Sequence, residues 1–273
     1  MKKILTVLLV ALLVITSLCF AACGDNAKTI TVCASELPHA DILQNCVANI
    51  LKEKGYTLKV KVIDWTIQND AVAQGDYDAN YFQHVPYLET YQGTTKLFAA
   101  CKVHYEPLGI YKGGKTSGNV SIAICDDESN AVRALELLYA KGYISSLPVS
   151  NGKLTFATSS TTVGNVTINL IAENLLVASM PDYTYVCLPC NTALTGNVDQ
   201  TKRIDREDDA ILVANMANVL AARVDDYAKN ADYKAKIDAL VEVLLSDAVA
   251  DYVEQKYGGA ITCDASSQID LRK

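Results

Sequence analysis

The chain has 273 residues, with 24 lysines and arginines against 31 aspartates and glutamates, and a formal charge of −7. That acidic balance repels phosphate backbones and argues against a nucleic-acid partner; it also argues against a polybasic membrane-binding face. Beyond a leader, about 250 residues remain, enough to bury a core and to divide into two lobes.

In chain order, Lys2 and Lys3 precede an apolar run, residues 4–18, broken only by Thr6, Thr16 and Ser17; Phe20-Ala21-Ala22-Cys23 follows. This is the pattern of a secretory signal peptide, residues 1–22, with an apolar core too short for a comfortable membrane span. The small residues ahead of Cys23 resemble the bacterial lipobox, although Phe20 stands where that pattern prefers leucine. The resemblance implies a diacylated Cys23, a tether over 23–28, and a protein held by lipid on the extracytoplasmic face of the cell membrane. The alternative is an ordinary signal that happens to end near Cys23.

Residues 29–34 read as a strand, and Pro38 opens a helix to about Lys54, its apolar Ile42, Leu43, Cys46, Val47, Ile50 and Leu51 spaced three and four apart. Leu58, Val60 and Val62 alternate with Lys59 and Lys61, as in a half-buried strand. A short helix is predicted over 69–74, then a strand leading into Asn80-Tyr81-Phe82. Strands are predicted at 97–104, 108–111, 120–125 and 184–188, and a helix over 128–141 closed by Gly142. The polar stretch 145–165 fits no element clearly; 210–223 is apolar and partly strand; 232–256 reads as one long amphipathic helix. Strands alternating with helices predict α/β layers with mostly parallel sheets. In such sheets ligands bind beyond the carboxyl ends of the strands, and 80–84, 126–133 and Asn191 fall there.

Of nine cysteines, Cys19 leaves with the signal and Cys23 is the lipid site. The odd number remaining cannot all pair within one chain. Cys33, Cys101, Cys125 and Cys187 lie in strand-like runs, where cysteine serves as a small buried hydrophobe. Mostly free thiols are expected, which for an exported protein suggests a reducing habitat. Cys187-x-x-Cys190 is a redox pair or half a zinc site only if further ligands join it, and no second such pair occurs.

The densest chemistry is Asn80-Tyr81-Phe82-Gln83-His84-Val85-Pro86-Tyr87, in a chain with one Trp, 15 Tyr and four Phe. An apolar or sulfur-bearing ligand side chain needs such an aromatic wall; the competing account makes Tyr81 and Phe82 core and His84 a helix cap. The second cluster is Asp126-Asp127-Glu128-Ser129-Asn130-Ala131-Val132-Arg133 at a strand-to-helix turn. A helix N-terminus and a guanidinium suit a carboxylate; alternatively Arg133 simply pairs with Asp126, Asp127 or Glu128. Asn69, Asn191 and Asn218 could serve a zwitterion's two charged ends. Trp65, at a strand end, walls a pocket or packs on a helix. Catalytic motifs are thin: three histidines, and neither a nucleophile elbow nor a phosphate loop. A zinc-binding protein or zinc-dependent enzyme using His84, His104 and Glu106 is the rival reading.

These residues carry a resemblance that spans nearly the whole chain. Pro38-His39-Ala40-Asp41-Ile42-Leu43, the Phe82-Gln83-His84-Val85-Pro86-Tyr87-Leu88 run and Lys102-Val103-His104-Tyr105-Glu106-Pro107 are similar to motifs of the NlpA/MetQ family of methionine-binding lipoproteins. The resemblance implies a periplasmic-binding-protein-like fold of type II, with two lobes joined by two crossing strands: 29–108 plus 219–273, and 109–218. It implies an ABC importer's substrate-binding component, not an enzyme, with no cofactor, serving a membrane permease and its ATPase. Trp65, Tyr81, Phe82, His84 and Tyr87 would surround the ligand side chain, Arg133 with Asn130 would take its carboxylate, and Asn191 and Asn218 its polar backbone. Two departures stand out: Thr192 and Met216 occupy positions that are aromatic in the family pattern. An amino-acid ligand is therefore safer than methionine itself, with a related amino acid or short peptide as the alternatives.

Overall fold

The computed structural model describes residues 28–208 and 215–272. The signal sequence, Cys23 and nearly all of the tether lie outside these residues, as does most of the first half of the apolar 210–223 stretch. No helix among the described residues is long and apolar enough to cross a membrane.

The first strands are β1 (Thr29–Ala34), β2 (Thr57–Val62), β3 (Ala79–His84) and β4 (Leu97–His104). After them come β5 (Leu108–Lys112), β6 (Val120–Cys125), β7 (Val149–Ser150), β8 (Lys153–Leu154), β9 (Ser160–Val163), β10 (Val166–Ile171), β11 (Tyr185–Pro189) and β12 (Arg203–Arg206). The last are β13 (Asn218–Arg223) and β14 (Ile269–Asp270). One sheet runs β14-β4-β13-β3-β1-β2 and the other β12-β5-β11-β6-β10-β9. The chain passes from the first sheet to the second through Tyr105-Glu106-Pro107, between β4 and β5, and returns between β12 and β13. The result is two α/β lobes.

Each sheet is mixed rather than mostly parallel. β1 pairs in parallel with β2 and β3, and β6 with β10 and β11. β13, returning from the other lobe, runs antiparallel between β3 and β4, and β5, arriving there, runs antiparallel to β11 and β12. A strand that enters from the other lobe needs no helical crossover, so nothing forces it parallel.

Helix α1 is built of consecutive segments, Glu36–Ala40, Leu43–Val47 and Ala48–Glu53. It buries Ile42, Leu43, Val47 and Leu51 against the first sheet, the stripe read from spacing. Helix α2 (Trp65–Gln74) begins four residues before the predicted 69. Its start is set by a cap rather than by periodicity: Asp64 accepts the Thr66 N–H at 2.9 Å. Gly75, at φ 88°, closes it in the left-handed conformation that glycine adopts without strain. Three further helices matter for the site: α3 (Val85–Glu89), α4 (Glu128–Ala140) and α5 (Glu173–Ser179), the last unforeseen. So does the single turn and a half of α6 (Cys190–Thr195).

Beyond α7 (Val224–Lys229), the predicted helix over 232–256 is two, α8 (Ala231–Leu244) and α9 (Asp247–Tyr257). Ser246 is extended between them, and its hydroxyl donates to the Val243 carbonyl at 2.7 Å. Ile237, Leu240, Val249 and Val253 still enter one core because the break lets both helices face it. In the second lobe Ala131, Ala134, Leu135 and Leu138 of α4 pack on Ile122, Ile124 and Ile168. All seven cysteines of the described residues are free, and burial pushes the Cys33, Cys101 and Cys190 thiols up to about 12.

At the end of β5 a Cβ on Gly113 would lie 2.0 Å from the Tyr183 carbonyl oxygen and 2.6 Å from that of Met180. Gly113→Ala is expected to lower stability by about 1–3 kcal/mol, read by urea denaturation. An unchanged midpoint would mean that the turn at 180–183 yields freely.

Candidate ligand-binding site

Between the two sheets lies a cavity of about 60 Å3. From the first lobe it is lined by Trp65 at the start of α2, by Phe82, Gln83 and His84 at the end of β3, and by Tyr87 in α3. From the second come Asn130 and Arg133 of α4, Glu173 at the start of α5, and Pro189 and Asn191 at the β11–α6 junction. Glu106 reaches it from the crossover, Asn218 from the start of β13, and Ser35 from the end of β1.

Of the residues that the resemblance assigns to the ligand, Tyr81 alone is not on this wall. It is fully buried, and its hydroxyl bonds His104 Nδ1 while its ring meets those of His39 and His104 edge-on, at 4.8 and 5.4 Å. Successive side chains of a strand point to opposite faces, so Tyr81 and its neighbour Phe82 cannot share a wall. Asn69 is also off the wall: with Asn80 and Gln83 it forms a buried amide network, at 2.7–2.9 Å, that stiffens the end of β3.

The aromatic wall is real. Trp65 and Phe82 both meet Tyr87 edge-on, with ring centroids 5.3 and 5.8 Å apart. His84 caps α3 by accepting the Tyr87 N–H on Nδ1 at 3.2 Å, so its proton is on Nε2, facing Asn130 Oδ1 at 3.2 Å. That bond crosses the cleft between lobes. Burial, aided by the Arg133 charge, holds the His84 imidazole down at about 4, so it stays neutral.

Arg133 pairs with none of the acids near it in sequence. It is buried, and grips Glu207 with two hydrogen bonds, Nε to Oε1 at 2.7 Å and Nη2 to Oε2 at 2.5 Å. Nη2 also donates to the Glu106 carbonyl at 2.8 Å, and the guanidinium lies over the Tyr105 ring, 5.7 Å from its centroid. Glu207 is held further by the Tyr105 hydroxyl at 2.7 Å and the Leu108 N–H at 2.8 Å. The guanidinium therefore reaches the cavity from a rigid, paired seat.

Glu106 is the second buried carboxylate. Its Oε1 accepts from His104 Nε2 at 2.7 Å and faces His39 Nε2 at 3.3 Å, while its Oε2 accepts the Asn191 N–H at 3.3 Å. His39 Nε2 also lies 3.2 Å from Asn218 Oδ1. The rival zinc reading is corrected here. The donor set within 4.8 Å among the described residues is His39, His104 and Glu106; His84 is not part of it, and its Nε2 faces Asn130 instead. In that trio each Nε2 has an acceptor and Tyr81 satisfies His104 Nδ1, while the buried His39 Nδ1 has no hydrogen-bond partner among the described residues. Burial holds His39 at about 4 and His104 at about 3.

Sequence reasoning missed Glu173 and Glu207 and saw Glu106 only as a metal ligand. The signal for Glu106 was its place beside a proline at a break between strands. For Glu207, 74 residues from Arg133, there was none.

Fold and site together define a two-lobed α/β binding protein whose ligand chamber lies between the lobes. The chain belongs to the NlpA lipoprotein family, whose model matches residues 30–263. It is 34% identical to the methionine-binding lipoprotein MetQ of Bacillus subtilis, over 96% of this chain and 98% of that one. Among solved structures, a nutrient binding protein from Burkholderia cenocepacia bound to methionine superposes with TM-score 0.74 at 25% identity, covering 86% of this chain and 99% of that one. A periplasmic substrate-binding protein of an ABC transporter from Coxiella burnetii shares the fold, with TM-score 0.73 at 22% identity over 86% of this chain and 100% of that one. The family read from the motifs is thus the family of the chain.

Proposed function

We propose that the chain is the substrate-binding component of an ABC importer, anchored through a lipid on Cys23 at the extracytoplasmic face. Its ligand is methionine or a related amino acid or short peptide. The observation that carries this is a chamber with a guanidinium on one lobe, Arg133, and an aromatic wall on the other, Trp65, Phe82 and Tyr87. The Bacillus subtilis and Burkholderia cenocepacia relatives, each named for methionine, support it.

The mechanism is capture by closure. A ligand whose carboxylate meets Arg133 and Asn130, and whose side chain lies against the aromatic wall, touches both lobes only when they are together. Such a ligand shifts the population toward the closed form, helped by the His84–Asn130 bond across the cleft. Asn191 and Asn218 border the same chamber and suit the ligand's polar backbone. The closed form would dock on the permease, and its ATPase would drive reopening. No covalent step is involved, so no catalytic residue is required.

A panel of amino acids and dipeptides, read by thermal shift, tests this. At a hundred times its dissociation constant a true ligand adds about 2.7 kcal/mol to stability. Trp65 is the single tryptophan and borders the chamber, so the same ligand should change the intrinsic fluorescence in a saturable way. If no member of the panel moves either signal, the binding reading fails.

A further inference from the structure

We propose that Glu173 is a specificity-determining residue of the chamber and that, with Thr192, it receives a cationic nitrogen of the ligand. This rests on the amino-acid reading of the site and names the part of the ligand that the aromatic wall and Arg133 leave unmatched.

Two carboxylates reach the chamber wall, and they differ in what they have left to give. Glu106 is occupied by two imidazoles and a backbone N–H. Glu173 accepts one hydrogen bond, from the Thr192 hydroxyl, and makes no ion pair among the described residues. The one guanidinium on the wall pairs with Glu207 and not with Glu173. The charges around Glu173 are anionic: Asp126 and Asp127 from the turn before α4, and Glu106 from the crossover. Burial first, and these neighbours after it, hold the Glu173 carboxyl up at about 7. A half-buried carboxylate among like charges is costly until a proton or a cation arrives. Glu173 faces the chamber, and among the described residues no basic side chain pairs with it, so a cationic group of the ligand would meet it there.

Its position also bears on which nitrogen it meets. Glu173, Ser35, Trp65 and Asn191 line both the chamber and a broader outer groove of about 560 Å3. Glu173 therefore stands at the seam between them. The α-ammonium of a free amino acid held in the chamber and the terminal ammonium of a dipeptide extending toward the groove share the same chemistry.

The test is titration calorimetry at pH 8 with L-methionine, glycyl-L-methionine and N-acetyl-L-methionine, on the wild type and on Glu173→Gln. The substitution keeps the shape and removes the charge. The wild type is expected to bind at least one of the two ammonium compounds and to reject the acetylated one. Glu173→Gln is expected to weaken that binding by roughly 10- to 100-fold, the loss of one charge-assisted hydrogen bond. A loss for methionine assigns the α-ammonium; a loss confined to the dipeptide assigns its terminal ammonium. The ligand-free variant should melt no lower than the wild type, because an uncompensated charge has been removed. Binding to the wild type that Glu173→Gln retains in full overturns this proposal alone, as does tight binding of the acetylated compound. Failure of all three ligands on the wild type overturns methionine as the ligand, and this proposal as stated for it; the amino-acid reading itself stands or falls with the thermal-shift panel.

Discussion

Arg133→Ala is expected both to abolish ligand binding and to lower the unfolding free energy by about 3–5 kcal/mol, the usual cost of breaking a buried ion pair from one side. The loss of binding follows from the proposed carboxylate contact. The loss of stability follows from Glu207, which is 3% exposed and would be left buried with no guanidinium to meet it. Its remaining partners, the Tyr105 hydroxyl and the Leu108 N–H, are neutral donors. The two effects separate in the double variant Arg133→Ala/Glu207→Gln, which should regain most of the stability and none of the affinity. Urea denaturation and calorimetry on both variants decide the matter. A single variant as stable as the wild type would mean that Glu207 finds solvent, and the buried-seat account of Arg133 would be wrong.

The second large effect is acid lability. His39, His84 and His104 are held at about 4, 4 and 3 by burial, against an ordinary value near 6.5. Below 6.5 the unfolded chain takes up protons that the folded chain refuses, so stability rises with pH and is lost as pH falls from 6.5 toward 4. At about 1.4 kcal/mol per pH unit for each histidine, one unit of acidification removes on the order of 4 kcal/mol. Glu106 and Glu173 act in the opposite sense. Burial raises both above the usual carboxylate value, so the folded chain gains protons there earlier and recovers part of the loss. The net expectation is a melting temperature that drops steeply between pH 6.5 and 5, measured by calorimetry across that range. A flat profile would show that the three rings are charged or solvated in the folded state.

Much of this molecule was readable before any coordinates. The alternation of strand and helix patterns gave the layers, and two local runs, 80–87 and 126–133, held nearly half of the chamber wall. Such runs are legible because a strand end and the helix that follows it are contiguous in sequence. Three things were not. The face of β3 separates Tyr81 from Phe82, and two-residue periodicity would have caught that had the run been read as a strand to its end. The antiparallel return of β13 depends on which lobe the chain has just left, information that no local window contains. The Glu207 partner of Arg133 and the His39 and Asn191 partners of Glu106 come from across the fold, where no local spacing marks them.

The crossover at Tyr105-Glu106-Pro107 joins more than the two sheets. The Glu106 carboxylate is clasped by His39 and His104 of the first lobe and by the Asn191 backbone of the second. Its carbonyl holds Arg133. One residue is thus both fulcrum and floor, and under the proposed closure a swing of the lobes would pull directly on the groups that seat the guest. Alterations of this linker that never touch a guest should still retune how tightly it is held.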